Sequence, residues 1–378
     1  MAARIVFTYR GEYSVALPGA TACLRSLLPA KLFAQRGPSK VKEQSMRAIR
    51  FEQFGEPAEV LKVCEVEEPV AKEGEVLVRM QASPVNPSDL LNVRGGYATR
   101  PDLPATPGFE GVGIVEKSGG GLRGALLKNR RVVVLNRQTG NWAEKVAVSS
   151  QFVIPVSSRL SLEESATFFV NPATAYLLVK QLLRVRKNQW LLQTAAASAV
   201  GKMVIRLGDH YGFQTLNIVR RHDQAAQLKQ IGARHVIVFN SAHDNERILI
   251  DQIRKTLGHA SLQFAIDPVG GHTASSIVKL LGERARLILY GSLENAPLEF
   301  LSREIIRNGA SIEGFWLARQ MEALSLPQKM KLVLTLTKLI RKGVLATEIA
   351  ARFPMDQIAQ AVTEAERAGR SGKVILSM

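Results

Sequence analysis

Cysteine is nearly absent from this chain of 378 residues: Cys23 and Cys64 are the only two. Two thiols supply no disulfide framework and suit a reducing compartment. Histidine is scarce and confined, with all six residues between His210 and His272. Residues 46–167 therefore hold no imidazole and a single thiol. That is too few of the ligands that must converge on a zinc ion, and no metal is expected. No apolar run approaches the length of a membrane span, so no spanning helix and no membrane role are expected. Neither a basic–aromatic module nor zinc-finger spacing is present to support nucleic-acid binding. A composition of 46% hydrophobic and 22% charged residues excludes wholesale disorder, and the length suffices for two domains with buried cores. Acids are outnumbered, leaving a formal net charge of +17. Such an excess suits acidic ligands such as nucleotides, coenzyme A thioesters or an acidic carrier protein, and a generally basic proteome explains it as well.

Acids are rarest in residues 1–45, where seven Lys and Arg residues face only Glu12 and Glu43. An arginine-bearing, acid-poor leader has the character of a mitochondrial transit peptide, and it lacks the continuous apolar core of a secretory signal. An over-long gene start is the slightly favoured alternative, because Met46 opens MRAIRFEQFGEP, which already reads as a first strand. Under either reading residues 1–45 stay outside the fold. The expected compartment is the bacterial cytoplasm, or the mitochondrial matrix if the leader directs import.

The stretch that organises the chain is 190–221, WLLQTAAASAVGKMVIRLGDHYGFQTLNIVRR. A short apolar run leads into a turn of small residues. A helical pattern follows, with Val200, Val204, Leu207 and Tyr211 at spacings of four, three and four. Residues 215–219 are again apolar and β-favouring. This is one βαβ unit. Small side chains at its turn let the backbone approach a phosphate, and the following helix presents free N–H groups and a positive dipole end. Ala196, Ser198 and Gly201 occupy the three positions of the G-x-G-x-x-G fingerprint, a degraded form that by itself also fits a packing turn. Position 220 adds information. A unit built for NAD places an acid there for the ribose 2′-hydroxyl. This chain has Arg220, Arg221 and His222, and a guanidinium grips a 2′-phosphate where an acid would repel it. The expected cofactor is NADPH.

Around this unit, strand patterns at 47–51, 61–66, 76–82, 111–117, 131–135 and 142–146 predict a small, partly open β-barrel. From 168 to 317 strands and helices alternate, which predicts a doubly wound parallel sheet. Its further strands are expected at 235–238, 264–267, 287–291 and 312–315, with helices at 223–231, 245–257, 273–281 and 302–308. A long helix at 327–342, a helix near 355–368 and a strand at 373–376 are expected to rejoin the barrel.

This layout and several short blocks together resemble the medium-chain dehydrogenase/reductase superfamily, whose members join a GroES-like barrel to a Rossmann domain. The blocks are Asn86-Pro87-Ser88-Asp89, Gly96-Tyr97, the run from Leu103 to Gly111, Asn171-Pro172-Ala173-Thr174-Ala175-Tyr176, Tyr290-Gly291, Gly314-Phe315-Trp316-Leu317 and Ser371-Gly372-Lys373. As a set they are most similar to the zinc-free 2-enoyl thioester reductases of fatty-acid synthesis, and beyond these to quinone oxidoreductases. Zinc alcohol dehydrogenases of the superfamily carry Cys where Asn86 lies and His where Phe109 lies. The resemblance implies an α/β fold with a GroES-like domain at 46–167 and 318–378 and a Rossmann domain at 168–317. It implies NADPH-dependent reduction of trans-2-enoyl thioesters of coenzyme A or acyl carrier protein, with Tyr97 as the catalytic phenol. It places Asn171, Ser198, Ala199, Val200, Gly201, Arg220, Arg221, His222, Tyr290, Gly291, Ser292, Leu293, Phe315, Trp316, Leu317 and Lys373 around the cofactor, and Asn86 and Trp316 beside the substrate. A homodimer would fit the family. An NADPH:quinone reductase and a non-catalytic NADPH binder are the rival functions.

Overall fold

The computed structural model describes residues 45–294 and 296–378; the leader expectation for residues 1–45, apart from Ser45, lies outside the described residues. Fifteen strands are present among the described residues, in chain order β1 (Ser45–Arg50), β2 (Lys62–Glu67), β3 (Glu75–Pro84), β4 (Glu110–Ser118), β5 (Arg131–Leu135), β6 (Lys145–Ser149), β7 (Val153–Pro155), β8 (Trp190–Gln193), β9 (Gln214–Val219), β10 (His235–Val238), β11 (Leu262–Asp267), β12 (Leu281–Leu289), β13 (Ser311–Gly314), β14 (Ile349–Pro354) and β15 (Lys373–Ser377). They form a two-stranded sheet β1-β2, a seven-stranded sheet ordered β14-β15-β3-β4-β5-β7 with β6 also on β3, and a six-stranded sheet ordered β10-β9-β8-β11-β12-β13.

The six-stranded sheet is parallel throughout. Its inner strands β8, β9 and β11 are mostly apolar and buried because both faces are covered, whereas the edge strand β13 is not. Leu191 packs into the core on one face with Val200, Val204, Leu207, Ile266 and Ile288. Leu192, its neighbour, packs into the opposite core with Leu216, Ile237, Leu249 and Ile253, as the two-residue period of a strand requires. The chain runs β8, β9, β10 to one side and returns to add β11, β12 and β13 on the other. The reversal leaves a crevice at the carboxyl ends of β8 and β11, the place where open α/β sheets bind ligands.

The tail rejoins the barrel sheet as expected: β15 pairs antiparallel with β3, and β14 pairs parallel with β15. One expectation is corrected. Of residues 142–146 only Lys145 and Val146 are in a strand, β6, which begins three residues later than expected and runs on to Ser149. Trp142 instead is a fully buried plug whose carbonyl accepts the Ile49 N–H at 2.8 Å. The short β7 and β14 and the helices Pro87–Val93, Leu162–Ala166, Val170–Tyr176 and Leu317–Ala323 had no counterpart in the sequence reading. No helix among the described residues is long and apolar enough to cross a membrane.

The turn after β8 depends on a close approach. Gly201, in the first turn of the helix Ala199–Tyr211, lies so near the incoming backbone that an added Cβ would sit 2.4 Å from the Ala196 carbonyl oxygen and 2.6 Å from its carbon. Ala196 lies in the turn after β8 with its N–H bonded to the Ile218 carbonyl of β9 at 3.1 Å, so its backbone cannot give way as a flexible side chain would. Gly201→Ala is expected to destabilise the fold by about 1–3 kcal/mol. The check is a lower urea midpoint at unchanged slope; an unaltered midpoint would refute the packing argument.

Candidate active site and cofactor cleft

The C-terminal ends of the parallel strands bring most of the sequence-predicted residues to one edge. After β8, Ser198 caps the helix Ala199–Tyr211, its hydroxyl accepting the Gly201 N–H at 3.1 Å. The first N–H groups of that helix, at Ala199 and Val200, have no partners one turn back. Arg220, Arg221 and His222 follow β9; Arg221 is the cap of the helix His222–Gln230, and His222 is its first residue. Tyr290, Gly291, Ser292 and Leu293 follow β12, with Ser292 and Leu293 on the exposed rim. Phe315, Trp316 and Leu317 follow β13, where Phe315 is buried and its N–H reaches the Leu289 carbonyl at 2.8 Å.

Three buried polar atoms in this region have no hydrogen-bond partner: Asn171 Nδ2, Gln193 Oε1 and Tyr290 Oη. Asn171 does not cap its helix, Val170–Tyr176, but lies inside its first turn. Burial, and then the negative charge of Asp267, push the Tyr290 phenol well above its ordinary range, against the neighbouring Ser198 hydroxyl, so it remains an O–H able to donate. Orphaned buried donors are costly unless a ligand satisfies them. Together with the tight turn and the open helix N-terminus, they fit a dinucleotide lying along the crevice.

Sequence reasoning missed the groups that brace this edge. Thr194 Oγ1 donates to Asp267 across the switch point between β8 and β11. Asp267 Oδ2 also accepts the N–H groups of Val269 at 3.0 Å and Gly270 at 2.6 Å. An acid closing a predicted strand and followed by Pro-Val-Gly-Gly was the available signal.

The barrel contributes a second set. Asn86 begins a helix, Pro87–Val93, and its N–H is accepted by Asp89 Oδ2 at 2.8 Å. Asp89 Oδ1 accepts the Phe109 N–H at 2.9 Å. The Asn86 amide is engaged at both ends: Nδ2 donates to Glu110 Oε1 at 3.0 Å, and Oδ1 accepts from Lys373 Nζ. Glu110 Oε2 accepts the N–H groups of Phe169 at 3.2 Å and Val170 at 2.9 Å, so one buried carboxylate holds the start of the Asn171 helix. Glu110 and Asp89 fall within the sequence blocks that carry the family resemblance but are not among the expected site residues. Burial pushes Glu110 above the usual carboxylate range, against the Val170 N–H. Burial likewise pushes Asp89 up to about 7. It pulls Lys373 down to about 8, although Glu110 and Asp89 work the other way.

The helix led by Asn86 ends in a turn that delivers Tyr97. The Tyr97 ring lies 4.9 Å from that of Phe109 and 6.2 Å, edge-on at 73°, from that of Trp316. Trp316 Nε1 donates to Tyr97 Oη at 3.0 Å. Arg137 stacks on the Trp316 ring at 4.9 Å. Thus Tyr97 meets Trp316 and Asn86 meets Lys373, each pair joining residues more than 200 positions apart in the chain. Among the described residues no three His, Cys, Asp or Glu side chains gather in a metal-binding group.

Comparison with known proteins agrees with this geometry. Residues 199–335 match the family model described as zinc-binding dehydrogenase, and residues 72–158 match the alcohol dehydrogenase GroES-like domain. The chain is 30% identical over 353 residues to the mitochondrial enoyl-[acyl-carrier-protein] reductase of Bos taurus, covering 92% of each. A Bacillus thuringiensis crystal structure, assigned provisionally as an NADPH:quinone reductase, superposes with a TM-score of 0.81 at 27% identity, over 89% of this chain and 99% of that one. The solved Etr1p/NADP/crotonyl-CoA complex shares the fold, with a TM-score of 0.74 at 22% identity over 89% of this chain and 100% of that one.

The buried lysine leads to a pH signature. Between about pH 8 and the ordinary lysine value of 10.5, the unfolded chain holds a proton that folded Lys373 has released. The unfolded state binds more protons there, so stability rises with pH across that window. Lys373→Met is expected to lack the rise, which shows in urea unfolding of both proteins at several pH values. Parallel curves would mean that Lys373 titrates normally.

Proposed function

Since the chain belongs to the enoyl-[acyl-carrier-protein] reductase family, we propose that it uses NADPH to reduce the C2=C3 double bond of trans-2-enoyl thioesters of coenzyme A or acyl carrier protein. An NAD(P) cofactor goes with the dehydrogenase fold, and the choice of NADPH rests on Arg220, Arg221 and His222 at the end of β9. Ser198, Ala199, Val200 and Gly201 serve the pyrophosphate in this reading. Asn171, Tyr290, Gly291, Ser292, Leu293, Phe315, Trp316 and Leu317 line the nicotinamide side. Asn86, its amide already held at both ends, acts through Lys373, which it orients.

The observation that carries the reading is the Trp316–Tyr97 hydrogen bond. An indole N–H only donates, so the phenol oxygen of Tyr97 is the acceptor. The Tyr97 hydrogen is therefore left for another partner, which we take to be the thioester carbonyl oxygen. When bound, the nicotinamide supplies the hydride. As hydride reaches the β-carbon, negative charge develops on the thioester oxygen, and a donor already held in place stabilises it. Tyr97 either holds that oxygen or delivers the proton to the α-carbon. Trp316 fixes the phenol and walls the acyl pocket. A homodimer formed through the edge strand β13 belongs to the same reading.

A quinone acceptor is a second reading, favoured by the likeness to the Bacillus thuringiensis structure. NADPH oxidation with crotonyl-CoA and with a quinone separates the two. Tyr97→Phe keeps the ring packing and is expected to lower kcat with crotonyl-CoA by about a hundredfold or more, with NADPH binding retained. Turnover of the quinone alone would retire the thioester reading, and turnover of neither would leave an NADPH binder. Arg220→Ala is expected to weaken NADPH by about 2 kcal/mol, roughly thirtyfold, and NADH little. Equal losses in titrations with the two dinucleotides would refute the 2′-phosphate assignment.

A further inference from the structure

The loop read as the 2′-phosphate site already contains a carboxylate. Arg221 and Asp223 form a two-point ion pair: Nε donates to Oδ1 at 3.0 Å and Nη2 donates to Oδ2 at 3.3 Å. This uses one whole edge of the guanidinium, the arrangement that a phosphate would otherwise occupy. The Asp223 carboxyl is held below its usual range, chiefly by the hydrogen bond from Arg221, so it is a carboxylate at neutral pH. The other arginine, Arg220, is exposed, and its only hydrogen bond among the described residues runs from its backbone N–H to Gln224. The tail covers the pair from the far side. At Gly369, where φ is +86°, a Cβ would lie 3.4 Å from Arg221 Nη2 and 3.8 Å from Asp223 Oδ2. The loop before β15 thus lies against the two charges and limits where Arg221 can turn.

We propose that Asp223 is a specificity-determining residue, which moderates the preference for NADPH over NADH by competing with the 2′-phosphate for Arg221. The proposal rests on the reading that Arg220, Arg221 and His222 receive that phosphate. A phosphate dianion and the Asp223 carboxylate seek the same N–H edge. Binding NADPH through Arg221 requires the guanidinium to leave Asp223, or to share itself between two anions that repel each other. NADH brings no 2′-phosphate, and its 2′-hydroxyl is a donor that a carboxylate accepts. Asp223 therefore opposes one cofactor and is neutral or favourable to the other. Arg220, free of such a partner, gives the net preference for NADPH. The pair is partly exposed, with side-chain accessibilities of 33% and 52%, so screening keeps the effect modest and salt-dependent.

The test measures dissociation constants of NADPH, NADH, 2′,5′-ADP and 5′-AMP for the full chain, Asp223→Asn and Arg220→Ala. Asp223→Asn is expected to tighten NADPH and 2′,5′-ADP by about threefold to tenfold at low salt, with a smaller gain at high salt. NADH and 5′-AMP are expected to stay unchanged or weaken. No gain for NADPH, or equal gains for both dinucleotides, overturns the proposal. The two nucleotide fragments show which idea has failed. If the wild type prefers 2′,5′-ADP and Arg220→Ala removes that preference, while Asp223→Asn changes nothing, the role of Asp223 is wrong and the cofactor reading stands. If the wild type binds both fragments alike and Arg220→Ala affects neither, the 2′-phosphate is not read at this loop and both ideas fall.

Discussion

Glu110 joins the parts of this molecule that chemistry must hold together. Its two oxygens accept hydrogen bonds from Asn86, which belongs to the barrel, and from Phe169 and Val170, which begin the helix carrying Asn171. A fully buried carboxylate survives only when its lone pairs are satisfied and a counter-charge is near. Backbone N–H groups and the Asn86 amide meet the first need, and Lys373 from the tail meets the second. Three segments far apart in the chain thereby converge on one anion. Removing any of them would strand charge in a low-dielectric interior, which makes the arrangement specific as well as stable.

The same economy of partners appears along the cofactor crevice, but there it is left incomplete. Thr194, Val269 and Gly270 hydrogen-bond to both oxygens of Asp267, which ties the ends of β8 and β11 together. Asn171 Nδ2 and Tyr290 Oη, by contrast, are buried without partners. Groups of this kind in a crevice can be completed by a ligand, which is the role proposed for these two. Tyr97 lies between these extremes: Trp316 occupies its acceptor side and its hydrogen remains available.

Much of the parallel sheet was legible in the sequence. β10 falls where its apolar run predicted it, and β9, β11 and β13 lie within two residues of expectation; in the barrel sheet β5 also falls where predicted. Those strands are short, apolar and bounded by turn residues, so local pattern and burial agree. β12 begins six residues earlier than expected, because Gly282, Glu283 and Arg284 continue the strand without apolar character. The 142–146 segment failed for a different reason. A strand is expected from Trp142 onward, but Trp142 is drawn into the interior by tertiary packing and the strand starts only at Lys145. The short helices of four to seven residues are set by caps and neighbours, and their periodicity is too brief to register.

The sequence by itself determined the βαβ unit, the replacement of an acid by Arg220 and Arg221, and the absence of histidine from residues 46–167, because each is a property of neighbours or of composition. Only the tertiary structure decided that Trp316 donates to Tyr97, that Lys373 reaches Asn86, and that Asp223 already grips Arg221. The first two contacts join residues separated by more than 200 positions. The third is local in sequence, but depends on side-chain direction at a helix cap. Burial then tunes the groups so assembled: the Lys373 ammonium and the Asp89 carboxyl are displaced from their ordinary ranges because water is excluded around them, and no stretch of sequence specifies where water is absent.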